Sequence, residues 1–211
     1  YGIITSVGPQ HLVSFKTVEN VIRTKFELRD ALPQDGTVFL NWDNEYIRSQ
    51  QPGRPVVRYG IEQEDADYLA YDISVSAKGS SFKMKLDGEE HTFSTRLIGS
   101  HNVLNIAGAI ACAHTLGVPA ADLIWQVRSL ESVPPRLQLI QGRSAIIIDD
   151  AYNSNPSGAK AALDTLGAFD GVKILVTPGM VELGSRQAEL NRIFGSQAAE
   201  VCDYVALVGE K

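Results

Sequence analysis

The chain has 211 residues, 44% of them hydrophobic and 21% charged, and a formal net charge of −6. That length accommodates one large domain or two small ones, and the composition is that of an ordinary globular protein. No run of Lys or Arg supplies the clustered positive charge that a nucleic-acid partner requires, and no apolar run approaches the roughly 20 residues of a membrane helix, so neither nucleic acid nor membrane insertion is expected.

Gly2 to Val7 reads as a short buried strand. Apolar Val18, Val21, Ile22, Leu28 and Leu32 recur at helical spacing, and Pro33 closes that helix. Val38 to Leu40 predicts a strand that runs into polar Asn41-Trp42-Asp43, and Val56 to Tyr59 predicts another. Tyr68 to Ser76 alternates, as do Phe82, Met84 and Leu86 before Asp87-Gly88 and His91, Phe93, Thr95 and Leu97 after it. Asp-Gly between two alternating runs is a hairpin signal. A helix follows from Asn102 to Leu116, capped by Gly117, and Pro119 opens another that ends near Leu130. Glu131-Ser132-Val133-Pro134-Pro135-Arg136 reads as a linker, because two prolines forbid helix continuation. Beyond it the order is strand (Ala145–Ile148, expected to be buried), helix (Pro156–Ala168), strand (Val172–Val176), helix (Arg186–Ala199) and strand (Tyr204–Val208). That alternation implies a parallel sheet. The fold class is α/β in two units, residues 1–133 and 134–211.

Cys112 and Cys202 lie in apolar runs and read as buried free thiols, in keeping with a reducing cytoplasm; no second pair of ligands nearby suits zinc. The chain opens on Tyr1-Gly2-Ile3-Ile4-Thr5 and ends on Val208-Gly209-Glu210-Lys211, with no start Met and no signal peptide, and reads as a piece of a longer protein.

Several polar residues suit chemistry. Lys25 falls in the apolar stripe of its helix, where lost hydration lowers an amine pKa and permits carbamate formation with carbon dioxide; a side chain that snorkels to water fits the same spacing. His11 follows a strand and a Gly8-Pro9 turn, a position where open α/β sheets place ligands, although from position alone an unremarkable surface histidine is the simpler reading. Asn102 and Asn105 share one face of a first helical turn, where two amides can read a base edge or one can cap the helix. Asp149-Asp150-Ala151-Tyr152-Asn153-Ser154-Asn155-Pro156 is the densest polar cluster. It lies at the carboxyl end of a strand, where carboxylates suit ribose hydroxyls or a metal; a turn plus an N-cap would account for Asn155-Pro156 but not for the whole cluster. Arg136, in the linker, can reach a phosphate with a bidentate fork or reads equally as an ordinary surface arginine. The sequence contains neither GxxxxGK[ST] nor GxGxxG.

Gly8-Pro9-Gln10-His11-Leu12, Thr24-Lys25-Phe26-Glu27-Leu28, Asn41-Trp42-Asp43, Gly99-Ser100-His101-Asn102-Val103-Leu104-Asn105, Pro135-Arg136-Leu137-Gln138, the Asp149–Pro156 run and Gly179-Met180-Val181-Glu182-Leu183-Gly184 occur in that order in the Mur ligases, which the chain resembles over nearly its whole length. His-Asn-x-x-Asn is shared with folylpolyglutamate synthases. The Asp149–Pro156 run is more specific and is similar to the branch that adds D-alanyl-D-alanine to UDP-N-acetylmuramoyl-tripeptide. The resemblance implies the later part of a P-loop-type central ATPase domain, with a hairpin-rich section, followed by part of a Rossmann-like C-terminal domain. It implies ATP and Mg²⁺ as cofactors, an acyl phosphate intermediate, a cytoplasmic protein and a monomer at full length. His11 would bind Mg²⁺ and carbamylated Lys25 would support it. Asn102 and Asn105 would hold the adenine side of ATP, Arg136 and Asp150 would contact the nucleotide, and Tyr152, Asn153 and Asn155 would lie near the cleft. The 211 residues alone are expected to be inactive. Competing readings are a sister Mur-type ligase with another substrate, a folylpolyglutamate synthase and a non-catalytic Mur-like partner subunit.

Overall fold

The computed structural model describes residues 1–132, 137–151 and 154–209. Strand β1 (Gly2–Ile4) leads through helix α1 (Leu12–Phe15) to helix α2 (Val18–Asp30). Thr17 starts α2: it is extended, and its hydroxyl accepts a 3.2 Å hydrogen bond from Asn20 N, satisfying one of the helix's orphan donors. The helix buries Val21 and Phe26, whereas Leu28, expected in its apolar stripe, is 43% exposed and covers Gly2 at the rim of the sheet.

Strand β2 (Val38–Asn41), helix α3 (Glu45–Arg48) and strands β3 (Val56–Gly60), β4 (Tyr68–Ser76), β5 (Gly79–Leu86) and β6 (Glu89–Thr95) complete a six-stranded sheet in the order β1 to β6. Strands β1 to β4 pair in parallel, and β4, β5 and β6 pair antiparallel. All four residues of β2 are buried, as the continuous apolar run of a parallel strand covered on both faces requires. Asp87 and Gly88 take φ of 51° and 84°, the two left-handed positions that an Asp-Gly hairpin turn demands. Helix α4 (Ser100–Thr115) crosses the sheet, and helix α5 (Ala120–Ser129) packs on β6. Between them these elements bury Phe39, Tyr59, Phe82, Phe93, Ile106 and Ile110. Gly117, at φ 91°, follows α4 in the left-handed conformation expected of its cap.

The second half contains β7 (Gln138–Gln141), β8 (Ile146–Asp149), α6 (Pro156–Gly167), β9 (Ile174–Thr177), a 3-10 turn (Gly184–Arg186), α7 (Gln187–Val201) and β10 (Tyr204–Leu207). Strands β9 and β10 pair in parallel, as the strand–helix alternation predicts. The expectation for β8 needs correction. Among the described residues it pairs antiparallel with β7 rather than joining β9, and it is not buried, with Ile146 43% and Ile147 53% exposed. The reason lies in the core of this half. It is built between α6 and α7 from Ala159, Leu163, Leu190, Phe194 and Ala198 with Met180 and Leu183, and no β8 side chain belongs to it. Cys112 and Cys202 are free but only partly buried, so the expectation of two buried thiols is also corrected.

Candidate active site

The loop leaving the carboxyl end of β1 is fixed by three side-chain donors. Asn41 Nδ2 donates to Thr5 O at 2.7 Å, Lys25 Nζ to Ser6 O at 2.8 Å, and Asn44 Nδ2 to Val7 O at 2.8 Å. Asn41 is buried at the end of β2, and its Oδ1 accepts from Asp43 N. Asn44 also caps α3 through Ile47 N. Burial lowers the Lys25 pKa, so its amine is deprotonated more readily than an exposed one. Asp43, whose sequence context assigned no role, accepts from the backbone N–H groups of Ile61, Glu62 and Gln63 and so locks the turn after β3. Trp42 donates Nε1–H to Asp65 at 2.9 Å and lies under the Arg58 guanidinium, 5.4 Å from the ring centroid.

His11 ends this loop as the N-cap of α1, in the left-handed region at φ 50° and ψ 37°. Its Nδ1 lies 2.8 Å from Glu182 Oε2 in the loop after β9, and Leu12 N donates to Glu182 O at 3.1 Å. Glu182 is itself left-handed, at φ 61°. The two halves of the chain therefore meet at the carboxyl ends of β1 and β9, where open α/β sheets hold ligands. The pairing is not explained by stability alone. The side chains are 46% and 61% exposed, so their hydrogen bond contributes at most about 1 kcal/mol, while a left-handed non-glycine residue costs roughly 1–2 kcal/mol.

A second contact joins the halves at the start of α4. His101 sits beside Gly99 and Thr165 of α6, as a Cβ added to Gly99 shows: it would lie 2.5 Å from His101 Cε1 and 2.7 Å from Thr165 Oγ1. His101 Nδ1 is buried without a hydrogen bond among the described residues, and burial lowers its pKa. Asn102 Nδ2 turns back to Ile98 O at 2.8 Å, and Asn105, three residues on, is exposed.

In the second half, Asp149 Oδ1 accepts from Ala151 N, Asp150 Oδ1 accepts from Leu137 N, and Asn155 Oδ1 caps α6 by accepting from Gly158 N at 3.0 Å. Arg136, Tyr152 and Asn153 lie outside the described residues. Of the residues singled out in the sequence, Lys25 and His11 act on one loop, whereas among the described residues no hydrogen bond joins either of them to Asn102, Asn105 or Asn155. Glu182 and Asn44 were missed. The signal for Glu182 was an acidic residue between Gly179 and Gly184 directly after a strand, but its partner is 171 positions away.

His11 Nε2 has no hydrogen-bond partner among the described residues and fits a divalent cation as a neutral imidazole ligand. Unmodified Lys25 is a cation and fits such a site only as a carbamate. The described residues contain no group of three His, Cys, Asp or Glu side chains placed to hold a metal.

Fold and site together define a two-part α/β protein with a polar seam at the carboxyl ends of its parallel strands. The model of the Mur ligase middle domain matches residues 1–113, and that of the Mur ligase glutamate ligase domain matches residues 135–211. The chain belongs to the Mur ligase family. It is 30% identical over 197 residues to the UDP-N-acetylmuramoyl-tripeptide--D-alanyl-D-alanine ligase of Bacillus subtilis, covering 92% of this chain and 42% of that protein. Superposition on MurF from Acinetobacter baumannii gives a TM-score of 0.90 at 24% identity, over 99% of this chain and 46% of that one, and establishes the shared fold. MurF from Thermotoga maritima in complex with ADP gives 0.86 at 26% identity, over 96% and 47%. The chain thus spans about half the length of the relatives it matches.

Proposed function

We infer that this chain is the central-to-C-terminal part of an ATP-dependent ligase that joins D-alanyl-D-alanine to UDP-N-acetylmuramoyl-tripeptide in peptidoglycan precursor synthesis. In this reading ATP phosphorylates the tripeptide carboxylate, the dipeptide amine attacks the acyl phosphate, and phosphate leaves. The observation that carries the reading is the meeting of the two matched family segments at His11 and Glu182, in a chain similar over 92% of its length to a ligase of that specificity. The similarity to an ADP-bound relative supports ATP as the nucleotide.

Within this reading residues 1–133 form the later part of the ATPase domain and 134–211 part of the C-terminal domain. His11, and Lys25 as its carbamate, would hold Mg²⁺, which when bound stabilises negative charge on phosphoryl oxygens. Asn102 and Asn105 would face the adenine side. Both offer donors and acceptors there, and the Asn102 amide is already oriented by Ile98. Arg136 and Asp150 would approach the nucleotide, and Tyr152, Asn153 and Asn155 would border the cleft. Among the described residues no helix is long and apolar enough to cross a membrane. A cytoplasmic, monomeric full-length protein is part of the same proposal.

The test is phosphate release by the full-length protein given ATP, Mg²⁺ and UDP-N-acetylmuramoyl-tripeptide, with D-alanyl-D-alanine compared against single amino acids. Release only with the dipeptide is the expected result. Release with a single amino acid would assign a sister ligase, and no release with either would leave a non-catalytic partner. The 211-residue chain alone, without a phosphate-binding GxxxxGK[ST] segment, should release no phosphate.

A further inference from the structure

We propose that Glu182 is a positioning residue: from the second half of the chain it holds the His11 imidazole in the tautomer protonated on Nδ1, leaving the Nε2 lone pair free to bind a ligand in the seam. The inference rests on the reading of His11 as a ligand-binding residue.

Four observations converge on Glu182. Its Oε2 lies 2.8 Å from His11 Nδ1, the distance of a charge-assisted hydrogen bond. A carboxylate can only accept, so the shared proton sits on Nδ1 and the neutral ring carries its lone pair on Nε2. Its carbonyl accepts from Leu12 N, so the same residue grips His11 and the peptide after it. Its own loop is rigidly seated. Asn191 Oδ1 accepts from Met180 N and Asn191 Nδ2 donates to Met180 O, each at 2.8 Å, while Met180 and Leu183 on either side of Glu182 are 2% and 1% exposed. Finally, the backbone is left-handed at both His11 and Glu182. Non-glycine residues in that region concentrate where the surroundings impose a functional geometry.

A carboxylate or carbonyl on the far nitrogen is the general means of fixing a ligating histidine, and removing such a partner typically lowers ligand affinity or activity by about 10–100-fold. Here that partner comes from the other half of the chain. Separating the halves would therefore release the His11 tautomer along with the contact, and the ligand site is complete only when the two halves touch.

The experiment is nitrogen-15 NMR of the 211-residue chain labelled on histidine, recorded well above the ordinary imidazole pKa of about 6.5. It would be run on the unsubstituted chain, Glu182→Ala and Glu182→Gln, with the signals of His91, His101 and His114 as the control for folding. His11 should show a protonated Nδ1 and a bare Nε2 in the unsubstituted chain. It should move toward the Nε2-protonated form in Glu182→Ala and return toward the first pattern in Glu182→Gln, whose amide oxygen can still accept. A bare Nδ1 in the unsubstituted chain, or a His11 pattern that Glu182→Ala does not change, would overturn the proposal. In the full-length protein Glu182→Ala should lower kcat/KM by about 10–100-fold, with Glu182→Gln losing less. Absence of ligase activity in the unsubstituted protein would instead overturn the functional reading and leave the tautomer result standing.

Discussion

Lys25 Nζ donates to the carbonyl oxygen of Ser6 at 2.8 Å, so the amine that the family resemblance marks as chemically active also pins the loop that presents His11. The two roles separate by substitution. Lys25→Met loses one hydrogen bond but also removes an amine whose charged form burial disfavours, and the opposing effects should leave stability within about 1 kcal/mol. That corresponds to a shift in Tm of roughly 2–4 °C by calorimetry. Lys25→Arg keeps a cation able to reach Ser6 but cannot form a carbamate at its guanidinium. Both variants should abolish phosphate release by the full-length protein while remaining folded. Activity retained in Lys25→Arg would show that a cation suffices and that no carbamate is needed.

Asp43 should matter to stability rather than to turnover. Its carboxylate accepts from three successive backbone donors, Ile61, Glu62 and Gln63, at 2.7, 3.1 and 3.0 Å. It also fills the space beside Gly60, where an added Cβ would come within 2.6 Å of Asp43 Oδ1. Asp43→Ala leaves those donors unpaired and should cost about 2–4 kcal/mol, read as a lower denaturant midpoint at unchanged slope. A loss below about 0.5 kcal/mol, the range of an ordinary surface substitution, would show that water replaces the carboxylate there.

The distribution of what could be read from the sequence follows the range of the interactions. The β5–β6 hairpin was legible because Asp87-Gly88 encodes its own backbone, and α4 because its stripe and Gly117 are local signals. The β7–β8 pairing was not. Gln138-Leu139-Ile140-Gln141 has no period-2 alternation, and Ile146-Ile147-Ile148 reads as buried whether or not another element covers it. In the site, Lys25 and His11 could be singled out one at a time from position and residue type. What neither position could reveal was that Lys25 serves the His11 loop, or that His11 is held by Glu182 from the other half, because both facts depend on contacts between distant segments.

Two glycines inside helices should respond to alanine with opposite signs. Alanine gains about 1 kcal/mol of helix propensity over glycine. At Gly195 in α7 an added Cβ meets nothing within 4 Å, so Gly195→Ala should stabilise by about 0.5–1 kcal/mol. At Gly108 in α4 the Cβ would lie 2.8 Å from two carbons of the Tyr59 ring, which is fully buried. The ring is rigid and has no room to retreat, and overpacking of this kind costs about 1–3 kcal/mol, so Gly108→Ala should destabilise despite its propensity gain. Equal stabilisation of both variants in denaturant titration would mean that α4 lifts off the sheet at little cost.

His101 should give the fold a pH dependence just below neutrality. Burial disfavours its imidazolium, and the folded-state pKa is lowered from the ordinary 6.5. As pH falls below about 6.5 the unfolded chain takes up a proton that the folded chain refuses, so stability falls until the depressed folded pKa is reached and then levels. The carboxylates Glu19, Asp67, Glu90 and Glu189, whose pKa values are lowered in the folded state, contribute stability that is lost only at more acidic pH, below their unfolded values near 4. The two windows are therefore distinct. Denaturant midpoints measured between pH 5 and 8 should fall with acidification in the unsubstituted chain, and the fall should be largely absent in His101→Gln. Parallel curves for the two proteins would show that the ring beside Thr165 gains water or an acceptor on protonation, and that the α4–α6 contact opens before the rest of the fold.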